Sequence, residues 1–249
     1  GGAPVLAKEL RRVYNKPVYA IGILPGKDEG AIYHRNAGRS LQTLAREANS
    51  LLLIENDAWR QTGESISSAF EAINERIARR VTLLLAAGEA VEGVGESVVD
   101  SSEVINTLKT GEVAAIGYAS AEASDDSGEN VNVITSTARR ALLTDMSVPD
   151  TVEAESALAI VAGDPERLSR KGVEKARKWI ESETGSMAVR GGDFPLSGDR
   201  IAVIIVLSGI GSSSRLESFM EKAKAADESS EKESDRSKVF ENDQLENLF

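Results

Sequence analysis

Two carboxylates three residues apart, Asp100 and Glu103, stand in the short run Val98-Val99-Asp100-Ser101-Ser102-Glu103. Acids paired on a loop can polarise a water molecule or divide acid and base duties between them. Upstream, Phe70 and Asn74 lie in a stretch whose apolar residues, Ile66, Phe70, Ile73, Ile77, Val81 and Leu84, keep the alternating three-four spacing of a helix face. Four residues make about one turn, so ring and carboxamide share a side. There a ring can stack on a planar base while the amide hydrogen-bonds its edge. Each residue also has a plainer reading: Phe70 as core, Asn74 in a buried hydrogen-bond network, and Asp100 as the cap of a helix over Ser102 to Leu108. The acids follow the aromatic-amide pair by about one helix length, roughly 22 residues or about 33 Å. Groups that far apart cannot serve one small ligand. They can serve two copies of it, one on each side of a repeating subunit contact.

Several elements must position these residues. Val18 to Leu24 is a continuous apolar run ended by Pro25-Gly26, which predicts a strand buried on both faces of a parallel sheet. Lys27 to Arg35 reads as a polar loop, and Ala37, Leu41, Leu44 and Ala48 mark a helix leading into a second buried strand, Leu51 to Ile54. Strand–helix–strand order implies a right-handed parallel crossover. Ligands then sit beyond the strand ends, at the loops beginning at Pro25 and Glu55. Pro4, Val5, Leu6, Leu10 and Val13 predict a helix over Ala3 to Tyr14, and Gly88 ends the long central helix. Further on, Val113 to Ala119, Ala157 to Ala162, Met187 to Val189 and Ile201 to Leu207 read as strands. Helices at Val131 to Leu143 and Leu168 to Glu183 complete a compact α+β unit. Ala225 to Ser237 is too polar to bury much surface and predicts disorder, after which Val239, Phe240, Leu245, Leu248 and Phe249 return. That ending reads as a short peptide that folds onto a protein partner, or as a frayed end.

Composition narrows the classes. The chain has 249 residues, 28% charged, no cysteine and one histidine, His34. Zero cysteine excludes a disulfide scaffold or a thiolate metal site, and one histidine argues against a histidine metal cluster or a Ser/His triad. No run approaches the roughly 18 apolar residues of a membrane helix, so direct membrane insertion is not expected. A net charge of −11 disfavours nucleic acid or an anionic bilayer as partner. The balance fits an acidic cytoplasmic protein, or one adapted to a salty cytoplasm, where the Debye length shrinks to about 3 Å and acidic surfaces repel less.

Ser68-Ala69-Phe70-Glu71-Ala72-Ile73-Asn74 resembles the nucleotide-reading part of the central helix of the tubulin/FtsZ superfamily. Val99-Asp100-Ser101-Ser102-Glu103-Val104 resembles that superfamily's catalytic loop, and Gly1-Gly2-Ala3-Pro4-Val5 the tail of its glycine-rich signature. Glu103 stands where bacterial division proteins carry Asp, and Val98 where they carry Asn; the chain is most similar to the haloarchaeal tubulin-like CetZ branch. The resemblance implies an α/β fold: a Rossmann-like GTPase half-domain (1–64), the central helix and catalytic loop (65–110) and a C-terminal α+β domain (111–211). Residues 212–249 would form a disordered acidic tail with a terminal hydrophobic peptide. It also implies a GTP- and GDP-binding protein that polymerises head to tail and hydrolyses GTP at the subunit contact, with Mg²⁺ and a part in cell shape. Glu29 would contact the ribose, Asn56 and Asn74 the base with Phe70 beside it, and Gly1 would also belong to the nucleotide-binding set. Glu103, assisted by Asp100, would act on the triphosphate of the next subunit. A family Arg four residues beyond Glu29 is Tyr33 here. The chain reads as a fragment beginning inside the signature loop, without the preceding phosphate loops, so that weak binding and little turnover are expected of it alone. Rival readings are a non-hydrolysing filament-interaction protein, an FtsZ-type division protein and an unrelated α/β enzyme whose single pocket faces both acids.

Overall fold

The apolar runs become six strands of one mixed sheet with helices on both faces. The computed structural model describes residues 2–59, 66–88, 99–187, 189–211 and 213–243, with 66–68 and 230–243 described by backbone alone. In chain order the elements are α1 (Gly2–Val13), β1 (Tyr19–Leu24), α2 (Ala31–Glu47), β2 (Ser50–Glu55), α3 (Ile66–Gly88) and α4 (Ser101–Leu108). There follow β3 (Val113–Glu122), α5 (Asn130–Leu143), β4 (Ala154–Gly163), α6 (Arg170–Thr184), β5 (Val189–Pro195), β6 (Arg200–Ile210) and α7 (Ser214–Asp243).

Strand order is β1-β2-β3-β6-β4-β5. β1, β2 and β3 run parallel, β6 is antiparallel to β3 and β4, and β4 is parallel to β5. Alternation across the pleat splits the core into two layers. Leu51, Leu53, Ala157, Ile205 and Leu207 face α2, α5, α6 and α7, whereas Leu52, Ile116, Leu158, Ile160 and Ile204 face α3 and α4. Each large side chain withdrawn from water in this way is worth about 1.5–3 kcal/mol.

Pairing is uneven. β3 meets β6 over nine register pairs, but β2 meets β3 over only two, Leu51↔Val113 and Leu52↔Ala114. Where these strands part, Ser147 bridges them. Its N–H donates to Ile116 O (2.8 Å) and its carbonyl accepts from Glu55 N–H (2.8 Å). Its hydroxyl donates to Leu53 O (2.7 Å) and accepts from Ile116 N–H (2.9 Å). One fully buried serine thus replaces the missing ladder.

Four expectations are corrected. The polar loop is shorter than Lys27 to Arg35, since α2 begins at Ala31. β1 is not buried on both faces: Leu24 is covered, while Ile21 and Ile23 on the other face are 45% and 49% exposed at the sheet edge. The strand expected at Met187 to Val189 lies at Val189–Pro195. Arg190-Gly191-Gly192-Asp193 hid it, and Gly191 is required there, because a Cβ would stand 1.9 Å from Ala159 O at a φ of +114°. Finally, the segment from 212 expected to be disordered contains α7, whose first half buries Phe219 and Ala223. Of the terminal hydrophobics, Phe240 lies in α7 with only its backbone described, and Leu245, Leu248 and Phe249 lie outside the described residues.

α7 reaches α2 because Gly38 leaves room: a Cβ there would sit 2.7 Å from the Cβ of Ala223. Gly38→Val is expected to lift α7 and cost about 1–3 kcal/mol. Amide exchange should then accelerate along α7 first, and unchanged protection of α7 would contradict this seam.

Candidate functional site

Two loops leave the C-terminal ends of β1 and β2, where parallel sheets present ligand sites. Glu29, from the first, accepts from Gly26 N–H (2.8 Å) and from Asn56 Nδ2 (3.2 Å), which belongs to the second. Asn56 N–H donates to Leu24 O (3.1 Å) and Glu29 N–H to Gly26 O (3.0 Å). Lys27 N–H donates to the Asp57 carboxylate. Glu29 and Asn56, 27 residues apart in sequence, are therefore members of one cross-tied corner. The bond to Asn56 ties Glu29 to the second loop, and Asn56 caps no helix among the described residues, because a turn follows it.

The central helix packs beside that corner. Ala69 and Ile73 cluster with Ile54 and Trp59 at the end of β2. The buried line on α3 runs Ala69, Ile73, Arg80, Leu84, Ala87, rotated from the stripe expected at Phe70. Phe70 is 43% exposed and Asn74 is exposed as well. Neither belongs to the core, so the buried-network reading of Asn74 is excluded, and ring and amide form a ledge open to solvent.

The two acids sit beyond the opposite end of α3. Val99 packs with Leu84 and Ala87, and Asp100 caps α4. Asp100 Oδ1 accepts from Ser102 N–H and from Glu103 N–H (3.1 Å). Hydrogen bonds from Ser102, then Glu103, hold its carboxyl below the ordinary carboxylate range. With the folded pKa depressed, the cap contributes stability above the unfolded pKa and loses it as pH falls through the folded one. Asp100→Asn, which keeps an acceptor, should leave the amides of Ser102 and Glu103 protected from exchange. Asp100→Ala should expose both, and equal protection in the two variants would contradict the cap. Glu103, in the first turn of α4, is partly exposed. Neither acid lines the cavity between α3, β3 and α5 or the one between α2 and α7. A single pocket facing both acids does not appear there. Gly1 lies outside the described residues. Among the described residues no three His, Cys, Asp or Glu side chains gather to hold a metal ion. Among them, too, no helix is long and apolar enough to cross a membrane.

Two charged contacts beside the corner escape sequence reading. Arg80, 1% exposed, pairs with Asp145 (2.8 Å), with its guanidinium 4.1 Å from the Trp59 ring centroid. Arg215 grips Glu55 from 160 residues away. Only the apolar spacing around Arg80 gave a signal, by placing a cation on a buried face; Arg215 gave none. Burial first, then the like charges of Asp57 and Asp150, push the Glu55 carboxyl up to about 7. The folded state thus holds a proton that the unfolded state releases near pH 4.5. Its contribution is full below that pH and is lost as pH rises towards about 7. Glu55→Gln is expected to remove this decline from the pH profile of urea unfolding, and an unaltered profile would contradict it.

Parallel strands feeding a long central helix, then further strands that continue the same sheet as a mixed one, is the tubulin/FtsZ architecture. The FtsZ dimer of M. jannaschii superposes with a TM-score of 0.69 over 86% of this chain and 60% of that one, and its 21% identity makes this a likeness of fold alone. Tubulin-like protein CetZ2 of Haloferax volcanii is 59% identical over all of this chain and 70% of its own length. Its structure, described as a GTPγS-bound protofilament, superposes with a TM-score of 0.86 over 93% of this chain and 67% of that one. Tubulin-like protein CetZ1 of the same organism is 48% identical over 90% of this chain and 63% of its own length. The family described as tubulin-like CetZ, C-terminal domain, matches residues 63–225. The chain belongs to the tubulin-like CetZ family, and it spans 70% and 63% of the lengths of these two relatives.

Proposed function

We propose that this chain forms the nucleotide corner, central helix and C-terminal unit of a cytoplasmic, GTP-dependent cytoskeletal subunit. The subunit polymerises head to tail, hydrolyses GTP at the contact and contributes to cell shape. The observation that carries this reading is the 59% identity along the whole chain to CetZ2, whose structure is described as a GTPγS-bound protofilament. An FtsZ-type division role has only the 21% likeness of fold behind it.

The geometry supports the same reading. Glu29 offers a carboxylate to ribose hydroxyls, Asn56 and Asn74 offer amides to the base edge, and Phe70 offers a ring for stacking. Gly1 would approach the phosphates. Asp100 and Glu103 lie beyond the far end of α3, whose last residue is about 21 Å along the helix from Asn74 and about 27 Å from Phe70 at 1.5 Å per residue. They therefore meet the nucleotide of the next subunit rather than their own. Glu103 orients the attacking water and Asp100, while capping α4, adds negative field beside it. A divalent cation accompanying the nucleotide would be held through phosphate oxygens and water, since the described residues offer no protein cage. Head-to-tail contacts are heterologous and propagate into filaments. The working units remain 1–64, 65–110 and 111–211, and the terminal segment carrying Phe240, Leu245, Leu248 and Phe249 is a docking peptide for a protein partner.

The test is assembly of the intact subunit with GTP and with GDP, followed by light scattering and phosphate release. GTP-dependent polymer with turnover rising more steeply than concentration is expected. Turnover strictly proportional to concentration, without polymer, would refute hydrolysis at the contact.

A further inference from the structure

α7 holds the nucleotide corner from outside at two places. At β2, Arg215 donates through Nε to Glu55 Oε2 (3.1 Å) and through Nη2 to Oε1 (2.6 Å), with only 14% and 8% of the two side chains exposed. Glu55 is the residue immediately before Asn56. At the other loop, Lys222 Nζ donates to Lys27 O (3.1 Å), two residues before Glu29. Between these ties, Phe219 and Ala223 seal α7 onto α2, with Phe219 6.1 Å from the ring of His34. Apolar packing alone would anchor a helix there. A buried ion pair adds little net stability over apolar side chains of the same size. What a bidentate guanidinium–carboxylate contact does supply is a fixed direction. Here that direction is imposed on the last residue of β2, whose backbone carries Asn56 into the corner.

We propose that Arg215 is a positioning residue for the nucleotide corner, setting Asn56 and, through it, Glu29, and so linking α7 to nucleotide binding. The proposal rests on the reading that this corner holds nucleotide. Linkage makes the effect reciprocal: whatever α7 docking adds to nucleotide affinity, bound nucleotide returns to α7 docking. A partner that seizes the far end of α7 and draws it off α2 thereby loosens the grip on nucleotide, and nucleotide resists the partner.

Four amides report on the corner directly, because those of Gly26, Lys27, Glu29 and Asn56 are each hydrogen-bonded within it. Amide exchange at these positions should rise about tenfold in Arg215→Met, which keeps an apolar stem, and less in Arg215→Lys, which keeps the charge but not the fork. Glu55→Gln combined with Arg215→Met should behave like Arg215→Met alone. In the intact subunit, GDP affinity of the same variants should fall about fivefold or more, and GDP should slow exchange along α7 in the unaltered protein. Faster exchange of α7 alone, with the four corner amides unchanged in both variants, would reduce Arg215 to a helix anchor and overturn the proposal. If Arg215→Met does not fold, Arg215→Lys and the GDP effect on α7 decide between the same outcomes. Loosened corner amides in an intact subunit that binds no GDP would sustain the positioning role while refuting the nucleotide reading.

Discussion

Glu103→Ala in the intact, filament-forming subunit is expected to lower GTP turnover by about 10²–10⁴-fold, the usual worth of a positioned residue that polarises or orients water. Nucleotide affinity of the unassembled protein should not change, because Glu103 lies at the end of α3 remote from the Glu29–Asn56 corner. Polymer should still form and should last longer. The decisive version mixes two inactive proteins. Glu103→Ala retains a nucleotide site but no water-orienting acid, and a protein with both Glu29→Ala and Asn56→Ala retains the acid but no nucleotide. In an equal mixture, random pairing brings a competent site against a competent acid in about a quarter of contacts. Recovery of activity on mixing is expected. Two proteins as inactive together as apart would rule out action in trans, and full activity in Glu103→Ala alone would remove the residue from the mechanism.

Arg80→Ala is expected to cost about 3–5 kcal/mol of folding stability, the range for breaking a buried charged contact from one side. The guanidinium of Arg80 donates to Arg76 O (3.0 Å) and Asp145 O (3.3 Å) and pairs with the Asp145 carboxylate. It also lies under Trp59, with Tyr118 at 5.5 Å. Truncation therefore empties a filled space, strips two carbonyls and leaves Asp145 short of a partner. Arg80→Met should recover the part due to packing but not the part due to charge. The neighbouring Arg79→Ala is the control. Its exposed pair with Glu75 (2.8 Å) is one turn apart on the helix surface and is worth about 0.3–0.5 kcal/mol. Urea unfolding of the three variants distinguishes these cases. An Arg80→Ala loss no greater than that of Arg79→Ala would mean that the contact is not formed in solution.

Local features were legible in the sequence and long-range ones were not. β1, β2 and the central helix are written as apolar runs and a three-four period, and the cap by Asp100 follows from ordinary helix-start chemistry within four residues. The angle of the central helix was harder to read. Arg80 takes a buried place that an apolar residue would be expected to fill, and Phe70 turns outward. β5 was misplaced because two glycines and two charged residues interrupt its pattern, yet pairing with β4 holds it in the sheet. α7 looked disordered because its composition is polar. Its order comes from Phe219 and Ala223 meeting a glycine on α2, a contact that no window of sequence contains. At the site, Glu29 and Asn56 were each readable as loop residues after a strand, but their hydrogen bond depends on how two loops are stacked by the parallel pair β1 and β2. The grip of Arg215 on Glu55 depends on the whole fold.

The narrow junction between β2 and β3 has a mechanical consequence. Two backbone register pairs and the bonds of Ser147 confine the link between the two parts of the sheet to the stretch from Leu51 to Glu55, about 13 Å of strand. Such a weld resists being pulled apart, since separation would strand several buried polar groups at once. It offers little resistance to torsion about itself, because no long ladder spans it. Twist between the parts is therefore restrained by the side-chain contacts beside the weld, Arg80 on Asp145 and Arg215 on Glu55.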